Sequence, residues 1–159
     1  MKPRYTLLLL TLFLCLTLSA CKEEPTEPPD LRGQWQQVLG DNKEPDYYHL
    51  ARITDGYVEI YYYSPSDGST NLYWYGSYEP PEDGKEPYTW TSENKLPKNL
   101  GPRVFRYASR DDSKDFTYKK GLLSYMIAPS QALRMNVTLE RVQEEVEIKG
   151  EVPKPEAMP

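Results

Sequence analysis

The chain has 159 residues, with 24 acidic and 19 basic side chains and a net charge of −5. That length suits one compact domain, and the acidic balance argues against nucleic acid or an anionic membrane surface as a partner, since both repel it. Tyrosine is the outlier at 14 residues; it favours strands and joins a large apolar body to a polar tip, which suits a small all-β domain.

The chain starts with Lys2 and Arg4, continues as an almost wholly apolar run from Leu7 to Leu18, and has no acidic residue before Glu23. A cationic start, a short apolar run and then a cleavage site form the pattern of a secretory signal. The run is shorter than the about 20 residues that a spanning helix needs. A plain secretory site has a small residue three positions before the cut, where Leu18 stands here. Leu18-Ser19-Ala20-Cys21 resembles instead the lipobox of bacterial lipoproteins. That resemblance implies cleavage after Ala20, diacylglycerol on the Cys21 thiol and acylation of the new amine. A single acyl chain binds a membrane only marginally, at about 0.8 kcal/mol per buried methylene, so two or three chains make the durable anchor. The expected location is the cell membrane or outer membrane, lipid-anchored and facing outside the cytoplasm. Cys15 leaves with the leader, so Cys21 is the only cysteine of the mature chain and no intramolecular disulfide is expected. Without residues 1–20 the chain keeps 17 basic and 24 acidic residues, a net charge of −7 that steers basic partners toward it.

Residues 21–30 carry the lipidated cysteine and then "KEEPTEPPD", a charged, proline-rich tether without a core-forming side chain. From residue 31 to 149, short β-type runs alternate with turn signals and no long helical period occurs. The expected strands are Gln34 to Leu39, Tyr47 to Thr54, Tyr57 to Tyr63, Leu72 to Tyr78, Tyr88 to Ser92, Val104 to Ser109, Phe116 to Lys119, Leu122 to Ala128 and Leu133 to Val142. Asp55-Gly56 is the strongest hairpin signal, and Lys120-Gly121 and Pro129-Ser130 turn two more. Nine or so strands with mostly short links predict an antiparallel meander closing into a β-barrel, which removes exposed sheet edges. At about eight strands the interior is either filled by side chains or holds one small ligand. Val142, Val146 and Ile148 could add a little strand, and residues 150–159 are expected to be a disordered tail.

"LRGQWQQV" places Gly33-x-Trp35 at the start of the first strand, and "VTLER" ends the last with Arg141. The pair resembles the G-x-W and closing basic residue of the lipocalin and calycin barrels. That resemblance implies a tryptophan closing one barrel end with the Arg141 cation across its ring, worth about 0.5–2 kcal/mol. "VEIYYY", "LYWYGSY", "YTWTSEN" and "ASRDDSKDFTYKKGLLSY" extend the likeness to small bacterial lipocalin-like lipoproteins from about Leu31 to Arg141. It implies a fold and an envelope location and carries no catalytic residues.

Enzyme chemistry has little support in the residues. The single histidine, His49, lies in an expected strand without a recognisable nucleophile partner, so a structural or exposed role is expected. No HExxH, GxSxG, CxxC cluster or phosphate-binding glycine loop occurs, and no cofactor is expected. Asp111, Asp112 and Asp115 lack the spacing of a calcium loop and read as a solvated turn partly neutralised by Lys114. The candidate binding face is Tyr57, Tyr61 and Tyr63 beside Tyr73 and Tyr75 on the next strand, since tyrosine is enriched at interface cores; the plainer reading is a cross-strand aromatic ladder. The expected function is a non-enzymatic binding role for an anchored envelope lipoprotein, through that face or the barrel mouth, with a small ligand, a glycan or a basic protein as partner. The alternative is a protective lipoprotein that inhibits cell-wall hydrolases or excludes superinfecting phage.

Overall fold

Alternating side chains and positive-φ turns build the sheet directly. The computed structural model describes residues 27–40, 45–97, 106–130 and 133–149. These contain eight strands: β1 (Gly33–Gln37), β2 (Tyr48–Thr54), β3 (Tyr57–Tyr63), β4 (Thr70–Ser77), β5 (Tyr88–Glu93), β6 (Ser113–Lys119), β7 (Leu122–Ser130) and β8 (Leu133–Arg141). The leader, Cys21 and residues 150–159 lie outside the described residues. At Asp55-Gly56 the β2–β3 ladder closes on Thr54 and Tyr57, with Gly56 at φ 84°. At the β6–β7 turn both Lys120 (φ 52°) and Gly121 (φ 80°) are left-handed, as a two-residue type I′ turn requires.

Every neighbouring pair is antiparallel, in the order β4-β3-β2-β1-β8-β7-β6-β5. The expected all-β meander is therefore present, with eight strands. The ninth expected strand, Val104 to Ser109, does not form in its described part: residues 106–108 make a turn and bend, and the Ser109 N–H donates to the Tyr73 carbonyl at 2.7 Å. This segment lies along β4 and helps cover the one unpaired junction. β4 and β5 meet there through a single bridge, Gly76 to Asn94, and through the Trp74 indole N–H donating to Ser92 Oγ at 3.0 Å. The barrel is thus nearly closed. Gly76 permits the approach, because a Cβ there would fall on Ser92 Oγ, Trp74 Nε1 and the Glu93 carbonyl.

Side chains fill the interior. Trp35, Ala51, Ile53, Val58, Ile60, Trp74, Trp90, Phe116, Leu123, Tyr125, Val137 and Leu139 form one buried cluster. Trp90 and Phe116 stack at 4.8 Å, and Tyr78 meets Trp90 edge-on at 5.3 Å, both favourable aromatic arrangements. Beyond β8 the chain turns back as a strap over the outer wall. The Gln34 carboxamide both donates to the Val146 carbonyl (2.9 Å) and accepts the Val146 N–H (2.8 Å), and the Thr70 hydroxyl bonds the Lys149 carbonyl. Those anchors lie on β1 and β4, so residues 146–149 cross the outer face of β2 and β3. Leu50 and Tyr61, which face outward on those strands, are buried.

Candidate functional site at the barrel mouth

The two ends of the barrel are chemically different. At the end where residues 27–32 enter, Arg141 lies beside Trp35 in the β1–β8 ladder with its guanidinium 4.7 Å from the indole centroid. It donates to the Arg32 carbonyl at 2.5 Å and to the Asp30 carbonyl, while the Trp35 indole N–H donates to the Leu31 carbonyl at 2.9 Å. Gly33, at φ 118°, leaves room for this: a Cβ would sit 3.0 Å from Arg141 Nη1. Leu31 is buried beneath the same entry segment. The entering segment plugs this end, with a crevice of about 340 Å³ left beside it between Asp30, Arg32, Asp55 and Tyr78; the nearby Trp90 Nε1 is buried without a hydrogen-bond partner among the described residues.

The opposite end, where β1, β3, β5 and β7 finish and β2, β4, β6 and β8 begin, is lined by polar aromatics. His49 at the start of β2, Tyr62 at the end of β3 and Tyr73 near the start of β4 converge there, with the His49 ring 4.6 Å from Tyr62 and 5.3 Å from Tyr73. His49 Nδ1 shares a hydrogen bond with the Tyr125 hydroxyl from β7. Burial, then the nearby Lys114 charge, pushes the His49 imidazole down to about 4, so it is neutral at pH 7. Burial pushes the Tyr125 hydroxyl well above its ordinary value. The pair is therefore an uncharged polar floor.

Lys114 is the cation of this end. Its side chain is 3 % exposed, donates to Asp111 Oδ2 at 2.5 Å, and passes 5.0 and 5.2 Å from the Tyr73 and Trp74 ring centroids. The "RDDSKD" segment is thus only partly a solvated turn, because its lysine is buried. The lysine hydrogen bond holds the Asp111 carboxyl below its usual range. Asp115 turns away to accept from the Thr91 hydroxyl at 2.7 Å.

Next to this cluster, sharing Tyr62 with it, a pocket of about 330 Å³ opens between Tyr47, Tyr62, Arg106 and Tyr107. The Tyr62 and Tyr107 rings pack as a tilted pair, with centroids 6.3 Å apart and planes at 60°. Tyr47 is 55 % exposed and Tyr107 40 % exposed.

The five tyrosines of the candidate face are not brought together as one exposed patch. A bulge in the β3–β4 ladder makes Ile60 oppose Trp74 and Tyr61 oppose Leu72, which turns Tyr73 inward. Tyr57 stacks on Tyr75 at 5.2 Å, and Tyr63 packs on Tyr48 at 5.1 Å, so these remain on the outer wall. Tyr61 donates to Glu59 Oε2 at 3.0 Å, an oxygen that also accepts from Arg52, and only 2 % of Tyr61 is exposed. Burial raises the Tyr75 hydroxyl to about 12.

Tyr47, Tyr62, Arg106, Tyr107, Lys114 and Tyr125 went unselected in the sequence. One signal pointed to some of them: His49, Tyr62 and Tyr125 are polar residues at inward positions near strand ends that a meander brings to one rim. No protein-family model, curated protein or solved structure matches the chain.

Proposed function

We propose that this chain is a membrane-anchored envelope lipoprotein with a non-enzymatic binding role, in which the barrel mouth takes a small ligand. The observation that carries the reading is the tyrosine-walled pocket at the end opposite the tether. Residues 27–32 enter at the plugged end, and the six Cα-to-Cα steps from Cys21 to Glu27 would span about 20 Å if extended. A lipid on Cys21 would hold the plugged end toward the bilayer and leave the mouth facing away. The pocket, of about 330 Å³, falls within the size of small-molecule sites.

Two measurements test this reading. Fatty-acid labelling of the wild-type chain, lost in Cys21→Ala, checks the anchor; no label on the wild type removes it. Mass spectrometry of small molecules released from the full-length chain isolated from its host checks the mouth. A compound present with the wild type and depleted in Tyr107→Ala is expected, and equal recovery from both counts against the site.

An acidic groove favours a second reading, the protective lipoprotein. Glu79, Glu82, Asp83 and Asp115 line a cleft of about 800 Å³ along β5 and β6. Such a cleft complements a cationic protein such as a cell-wall hydrolase. Inhibition of a basic hydrolase by the full-length chain, relieved in Glu82→Gln/Asp83→Asn, would support it. Unaltered lysozyme and phage sensitivity of a deletion strain would oppose both the inhibitor and the exclusion version.

A further inference from the structure

We infer that the mouth pocket selects a small planar aromatic anion, the carboxylate or sulfonate of a one- or two-ring system. This rests on the mouth being the binding end. Among the described residues the lining is three tyrosines and the cationic Arg106, with no carboxylate. Among the described residues Arg106 has no ion-pair partner, whereas Arg32 pairs with Asp30 and Asp55, and Arg52 pairs with Glu59. A second cation, Lys114, lies behind the Tyr73 ring at the base of the same end. Asp111 neutralises Lys114, so Arg106 is the cation that this pocket offers to an anion.

The shape supplies the rest of the class. Tyr62 and Tyr107 pack on one another as a tilted pair, and both line the pocket, where an aromatic face can stack a flat ring. A guanidinium at the rim offers two parallel N–H donors, which match the two oxygens of a carboxylate or sulfonate. The pocket volume of about 330 Å³ accommodates two fused rings and excludes a folded chain. A neutral sugar fits less well, because its many hydroxyls call for a ring of amide and carboxylate partners that these four residues do not supply.

The test uses the full-length chain in lipid nanodiscs, with empty nanodiscs as the reference, and isothermal titration calorimetry. The probes are 2-naphthoate, its neutral isostere 2-naphthamide, and the saturated anion decalin-2-carboxylate. The expected result is that 2-naphthoate binds about tenfold or more tightly than either comparator, the range a charge-assisted hydrogen bond supplies. Arg106→Gln should erase the preference for naphthoate over naphthamide, and Tyr107→Ala should weaken both aromatic probes. Both side chains are exposed, so neither variant threatens the core. Equal binding of naphthamide and naphthoate, with both weakened by Tyr107→Ala, overturns the anion class and leaves the mouth reading standing. Naphthoate binding that neither variant changes overturns the proposal and the mouth together. If no probe binds, the aromatic-anion class falls, and the co-purification measurement decides the mouth separately.

Discussion

The plugged end and the mouth of this barrel each hold a cation against an aromatic ring, and they use it in opposite ways. Arg141 lies over Trp35 and donates its N–H groups to the backbone carbonyls of Arg32 and Asp30. The result is a seal, because the entering chain is tied to the last strand. Lys114 lies beside Tyr73 and Trp74, and its partner is Asp111, a side chain half exposed to solvent. The result is a buried charge whose compensation depends on one surface carboxylate. Fixed backbone partners make a closed structural end; at the rim the cation is held by a side chain alone.

The largest expected difference between the ends is in packing. Trp35→Ala removes a fully buried indole and its cation contact, and should cost about 4 kcal/mol in denaturant unfolding. Tyr107→Ala at the mouth should cost under about 1 kcal/mol, since the side chain is 40 % exposed. Equal losses would mean that the mouth is as structural as the plug.

Acid should act on the mouth next. The His49 imidazole titrates near 4 in the fold against an ordinary 6.5. Between those values the unfolded chain binds the extra proton, so stability falls as pH drops from about 6.5 to about 4, by up to about 3 kcal/mol. The groups facing the ring are Tyr62, Tyr73, Tyr125 and Lys114, and a proton on His49 would stand near the Lys114 charge. Urea unfolding at several pH values should show a shallower decline for His49→Gln than for the wild type. Parallel curves would assign the acid loss to carboxylates such as Asp111 instead.

A finer contrast concerns the two cations. Arg141→Met should destabilise by about 2 kcal/mol, because it leaves two carbonyls without their donor and removes the ring contact. Lys114→Met should be near neutral, within about 1 kcal/mol, since it removes the desolvation cost of the buried ammonium together with its ring contacts, while the half-exposed Asp111 turns to water. Thermal unfolding of both variants checks the ranking, and a larger loss at Lys114 would reverse it.

The smallest expected effect lies on the outer wall. Gln34→Leu removes both hydrogen bonds to Val146 and should free the strap at a cost of about 1 kcal/mol. Faster amide exchange at residues 146–149, with the barrel strands unchanged, is the expected readout. Slow exchange there would mean that the Thr70 contact suffices.

Local chemistry made most of the strands legible. The Asp55-Gly56 and Lys120-Gly121 turns are encoded in adjacent residues, and each sets the phase of the strands beside it. Val58, Ile60 and Tyr62 follow from that phase as one inward face. Val104 to Ser109 misled because apolar and aromatic content alone does not supply a pairing partner; its described part follows β4 through a backbone contact instead. The candidate face was only partly legible. Its alternation holds through Tyr57, Tyr61 and Tyr63, then fails at Tyr73, where the bulge adds one residue to β4 and changes the side that follows.

The sequence by itself determined the order of most strands and the turns that join them, because each depends on residue type at short range or on a meander's simple connectivity; the meeting of Trp35 with Arg141 was implied by a resemblance and is present in the fold. Tertiary structure alone decided that Lys114 is buried, that Tyr73 points inward, that Tyr61 is covered and that Tyr62, Tyr107 and Arg106 share a pocket. Those outcomes depend on which distant segments cross a given strand, and burial is a property of the neighbours in space rather than of the residue in the chain.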